Sequence, residues 1–108
     1  MLEGLWTVEF KAAMGAGTGV IVVNPKTIMG GDAGYYYAGT YKVENGAVHA
    51  ELDVVRFSQH AVSIFGSSER HSVVLDGPVN EKQMQLSGYL KSNPSQKFSV
   101  ICKKERDA

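Results

Sequence analysis

Tyr35-Tyr36-Tyr37-Ala38-Gly39-Thr40-Tyr41-Lys42-Val43-Glu44-Asn45-Gly46-Ala47-Val48-His49-Ala50-Glu51-Leu52-Asp53-Val54 is the stretch that decides the fold class. On the way in, Tyr35, Tyr37, Gly39, Tyr41 and Val43 share one face, with Tyr36, Ala38, Thr40 and Lys42 on the other. On the way back, Val48, Ala50, Leu52 and Val54 alternate with His49, Glu51 and Asp53. A period of two is the signature of a half-buried strand. Asn45-Gly46 joins the two runs, and a type I′ turn needs positive φ at both central positions, which Asn and Gly tolerate best. The pattern predicts a β-hairpin over Tyr35–Arg56.

The same alternation extends outward in both directions. Upstream, Trp6, Val8 and Phe10 oppose Thr7 and Glu9. The Ala13–Gly17 stretch reads as a turn and Thr18–Val23 as a strand. Asn24-Pro25-Lys26 reads as a tight turn, since Pro presets φ and Asn bonds its own backbone, and Thr27–Met29 as a short strand ending in Gly30-Gly31-Asp32. Downstream, Ser72–Leu75 reads as a strand stopped by Asp76-Gly77-Pro78. Met84, Leu86, Gly88 and Leu90 form the next, Ser92–Ser95 a turn, and Phe98, Val100 and Cys102 the last, with Lys103–Ala108 expected to fray. Residues 57–69 lack clean alternation and are expected to form a short helix or an irregular segment. About eight strands with short links and no helical period predict an all-β fold, an eight-stranded antiparallel up-and-down barrel forming one domain over residues 1–108. Closure also removes exposed sheet edges.

Composition narrows the function classes. The 108 residues are 44% hydrophobic and 20% charged, with eleven basic residues balanced by eleven acidic ones. No global field favours a nucleic acid or an anionic membrane. MLEGLWTVEF has neither a basic start nor a long apolar core, so it does not read as a secretory signal, and Val20–Val23 is far too short an apolar run to span a bilayer. One cysteine, Cys102, cannot form an intramolecular disulfide, and a reduced thiol points to the cytoplasm.

No constellation assembles catalysis. His49, His60 and His71 lie far apart, without the close ligand spacing of a metal site, and they read as solvent-facing or loop residues. Gly15, Gly17 and Gly19 open onto Val20-Ile21-Val22-Val23 and not onto a helix, so they form a glycine-rich hairpin turn and no phosphate loop. No Gly-x-Ser-x-Gly elbow is present. Asp32 reads as a turn residue accepting backbone hydrogen bonds, or as a carboxylate at a barrel mouth. Tyr35 and Tyr37 point inward and Tyr36 outward, without the basic groove that base stacking needs. The chain is expected to be no enzyme, with no cofactor and no metal.

Two binding readings remain. Eight-stranded barrels are either filled by side chains or hold one small ligand. The candidate lining is Trp6, Val8 and Phe10 of the first strand, Tyr35, Tyr37 and Tyr41 of the hairpin, Leu52 with Arg56 beyond it, and Met84, Leu86 and Phe98 of the last strands. These bulky residues favour a packed interior over a carrier of a hydrophobic ligand. Arg56 falls on the inward register, where it either meets Asp32 or a ligand carboxylate or keeps its head in water at the strand end. Tyr36, Val55 and Ile101 point outward and suit an interaction surface.

Gly4-Leu5-Trp6-Thr7-Val8-Glu9-Phe10, Gly17-Thr18-Gly19-Val20-Ile21, and Thr27-Ile28-Met29-Gly30-Gly31-Asp32 running on through Tyr37-Ala38-Gly39-Thr40-Tyr41 resemble the GrlR family. These are small negative regulators of bacterial type III secretion. The motif residues are Gly30, Gly31, Asp32, Tyr37, Gly39 and Tyr41. The resemblance covers the first half of the chain. It implies a lipocalin-like barrel, a homodimer, and action by contact with a regulatory protein partner. Where the family carries a surface acidic run, this chain has Val43-Glu44-Asn45-Gly46, with one carboxylate.

Overall fold

A computed structural model describes residues 1–13, 15–61 and 69–108. Eight antiparallel strands follow one another around a closed barrel. They are β1 (Gly4–Ala12), β2 (Gly15–Val23), β3 (Thr27–Gly31), β4 (Tyr35–Glu44), β5 (Ala47–Arg56), β6 (Arg70–Pro78), β7 (Gln83–Leu90) and β8 (Asn93–Asp107). The β4–β5 hairpin runs over the residues its alternation predicts, with Asn45 at φ 53° and Gly46 at φ 74°. Every strand pairs with its sequence neighbour, and β1 with β8 closes the ring.

The inward set of each strand makes the core: Trp6 and Val8, Ile21 and Val23, Tyr35 and Tyr37, Val48, Ala50 and Leu52, Val73 and Leu75, Met84 and Leu86, Val100 and Cys102. Register adds a feature that no single strand reveals. Phe10 faces Gly17, Val8 faces Gly19, Tyr37 faces Gly30, Leu52 faces Gly39, and Phe98 faces Gly88. Phe10, Leu52 and Phe98 lie against the glycine they face, while the Tyr37 ring reaches past Gly30 to Gly19 of β2. A Cβ at Gly17 would lie 2.6 Å from the Phe10 ring.

Four expectations need correction. Gly15, Gly17 and Gly19 lie within β2, not in a turn, because β1 ends at Ala12 and their hydrogens make room for the rings across the strand. Asp76-Gly77-Pro78 continues β6, where Val48 pairs with Gly77 and His49 with Asp76; β5 extends to Ala47 and needs a partner at that level. Asn93, Pro94 and Ser95 open β8 instead of forming a turn. Lys103–Asp107 is strand and not frayed tail, because β1 requires a partner down to Gly4; Gly4 pairs with Asp107 and the Ala108 N–H donates to the Glu3 carbonyl. Of the segment expected to be helical or irregular, residues 57–61 are irregular, and 62–68 lie outside the described residues. Among the described residues no helix is long and apolar enough to cross a membrane.

The glycines differ in what a methyl group would meet. At Gly39 the added carbon would strike the Glu51 carbonyl and lie 2.8 Å from the Leu52 Cα, both backbone, whereas at Gly17 it meets only the Phe10 ring. We expect Gly39→Ala to lower unfolding free energy in urea by about 1–3 kcal/mol, the usual penalty of overpacking. Gly17→Ala should fall below that range, since a half-buried ring can yield.

Candidate functional site

The barrel has two unlike ends. At the end carrying the β2–β3 and β4–β5 turns, the interior is plugged. Trp6 is fully buried, and its Nε1–H donates to the Leu2 carbonyl at 2.9 Å. Lys104 lies over the indole, 5.8 Å from the ring centroid, and its Nζ donates to the Met1 carbonyl and pairs with Asp107. The Tyr41 hydroxyl donates to the Asn24 carbonyl at 2.7 Å and fixes the β2–β3 turn. Trp6 and Tyr41 are therefore floor and brace, and neither lines the cavity above them.

Beyond that floor the interior is hollow. A cavity of about 540 Å³ runs toward the end formed by Asp32–Gly34 and by Ser58, His60 and Ala61. Eight of the eleven residues singled out as lining reach it: Val8, Phe10, Tyr35, Tyr37, Leu52, Met84, Leu86 and Phe98. Sequence reasoning missed Ile21, Ile28, Val73 and Val100, which belong to the same inward alternation, and the small residues Gly17 and Ala50 that leave the space. The expectation of a filled interior is corrected by those glycines and alanines, whose opposition to the bulky residues only the strand register discloses.

Arg56 does not line the cavity. Although it sits on the inward register beside Tyr35, its guanidinium turns to Glu69 at 3.1 Å, where part of it reaches solvent. Of the two readings of Arg56, the strand-end one holds. Among the described lining residues there is no lysine or arginine.

Polarity gathers at the Asp32 end. Asp32 Oδ1 accepts the backbone N–H groups of Gly34 and Tyr35, each at 2.9 Å, which folds the β3–β4 turn. Oδ2 accepts the Tyr37 hydroxyl. Both readings of Asp32 are thus met in one residue: it is a turn acceptor and a carboxylate on the cavity wall. Two of the six motif residues, Asp32 and Tyr37, touch, and Gly30 pairs with Tyr37 across the strands. Burial, reinforced by the Asp32 carboxylate, pushes the Tyr37 hydroxyl well above its ordinary pKa, so it stays protonated and donates. Tyr35 is 5% exposed, its ring forms part of the wall, and its hydroxyl has no hydrogen-bond partner among the described residues.

The remaining candidates scatter. His49 is outward and bonds Asp76 at 2.5 Å, and His60 is exposed beside the cavity. His71 departs from the solvent-facing expectation. β6 begins at Arg70, which places His71 inward opposite Val54, and burial lowers its pKa. Cys102 lines the cavity near its floor, its thiol pushed up to about 12 by burial, so it is a thiol and no nucleophile at neutral pH. Among the described residues no three His, Cys, Asp or Glu side chains are grouped to hold a metal ion.

Removing the Asp32 carboxylate leaves two turn N–H groups and a buried phenol without their acceptor. Asp32→Ala should destabilise the barrel by about 2–3 kcal/mol and Tyr37→Phe by about 1 kcal/mol in urea unfolding, following the usual worth of hydrogen bonds to charged and neutral partners.

Comparison with protein-family models and with curated proteins finds no match for this chain.

Proposed function

We propose that this chain is a non-catalytic binding protein that carries one small apolar ligand inside its barrel. One observation supports the reading above all others, the apolar cavity of about 540 Å³. Its size falls within the roughly 300–1,000 Å³ of small-molecule sites. The cavity opens at the Asp32 end, and its apolar walls leave contacts that a small apolar molecule could make. Water is a poor occupant, because each buried water needs two to four polar partners and the walls supply few. An apolar molecule makes those contacts. The single thiol, buried and reduced, suits a cytoplasmic setting.

A second reading, action as a homodimer through protein contact in the manner of the GrlR family, draws on the outer face of β1–β4. Leu5 pairs with Val22 and Val22 with Met29, while Gly31 links Val20 to Tyr36. All five apolar side chains are exposed, Met29 at 54%. β2 and β3 contain no charged residue. Two copies of such a face meet across a two-fold axis without opposing like charges, so a second copy is the partner it fits. Val55 is only half-exposed, and Ile101 lies between Glu9 and Gln85, away from this patch.

Native mass spectrometry of delipidated protein mixed with Nile red, a neutral apolar dye, tests the first reading. One dye per barrel, lost on denaturation, is expected; no uptake would overturn it. Arg56→Met should bind the dye within about twofold of wild type, since the guanidinium is engaged with Glu69. For the second reading, light scattering should find a dimer that Val22→Lys with Met29→Glu converts to monomer at unchanged circular dichroism. A monomeric wild type at micromolar concentration would count against it.

A further inference from the structure

The polar end of the cavity also restricts the ligand. Its wall offers a carboxylate, Asp32, and no lysine or arginine among the described residues. The one arginine on the inward register, Arg56, is held by Glu69 at 3.1 Å. Asp32 accepts three hydrogen bonds, two from the turn and one from Tyr37. A carboxylate has about four acceptor positions, so one remains for a donor arriving from the cavity. The rest of the lining is apolar from Val8 and Ile21 through Leu52 to Leu86 and Val100, with Thr18, Ser58 and His60 as its polar members.

We propose that the ligand is an amphiphile with an apolar chain and a hydrogen-bond-donating, non-anionic head, an alcohol or an amine, seated at Asp32, and that chains ending in a carboxylate are excluded. This rests on the carrier reading above. A carboxylate head meets Asp32 as a like charge beside a wall that offers no lysine or arginine among the described residues, which is disfavoured. A hydroxyl or ammonium instead donates to the free acceptor position. Discrimination arises from the repulsive element as much as from the attractive one.

Displacement of Nile red from the 108-residue chain at pH 8 by decanol, decylamine or decanoate tests this, since the three share one chain and differ in the head. Decanol and decylamine should compete at least about tenfold better than decanoate. Asp32→Asn keeps the turn acceptor Oδ1 and removes the charge, so it should narrow that gap severalfold, each competitor being read against the dye affinity measured for the same variant. Decanoate competing as well as decanol, or a gap that survives in Asp32→Asn, would overturn the head-group assignment while leaving the carrier reading intact. Failure of the dye itself to bind would overturn the carrier reading, and the assignment with it.

Discussion

Eight strands fix the circumference of a barrel before any side chain is chosen, and what then matters is how the enclosed volume is divided. Here the division is made across strand pairs. Phe10, Tyr37, Leu52 and Phe98 each face a glycine. The opposition lets a large ring or branched side chain lie against the wall instead of projecting to the axis. At the level of Trp6 the register partners are Ile21 and Lys104 and not glycine, and the fully buried indole makes the interior solid. Above it, Gly17, Gly19, Ala50 and Gly88 leave the centre unfilled. Floor and cavity are two outcomes of one rule applied with different residues.

The exterior is divided as well. The face over β2 and β3 is apolar and uncharged, while the opposite flank carries His49 with Asp76, Lys91 with Glu51 and Arg70 with Asp53. Such exposed ion pairs add little to stability. Their role is to keep that flank hydrated, which leaves the neutral face as the place where another surface can be accepted without opposing a field.

The architecture was legible in the sequence because period-two alternation is a local signal and each strand declares its own faces. The β4–β5 hairpin followed from Asn45-Gly46 alone. The errors came where the neighbour across the sheet decides. Asp76-Gly77-Pro78 consists of three turn-forming residues, yet the extension of β5 draws it into the ladder. Lys103–Asp107 is charged, yet β1 needs it. The site was half legible. Bulky inward residues identify themselves, but a cavity depends on which residue stands opposite which, and register is not written in one strand. Trp6 and Tyr41 were inseparable from the lining residues by alternation, since depth along the barrel axis, and not facing, sets them apart. Asp32 announced a turn, and its bond to Tyr37 arises from the fold of that turn.

The pairing of Gly4 with Asp107 has a consequence in time. Six of the seven consecutive strand pairings join residues near in sequence and form with short loops to close; the β5–β6 link is longer. Only β1 with β8 spans nearly the whole chain, and contacts of that separation form late because their loop entropy is paid first. A chain emerging from synthesis therefore holds an open, curled sheet with both edges bare until its last residues are free. The barrel has no inside until then. A chain stalled short of β8 offers two unpaired edges to its neighbours.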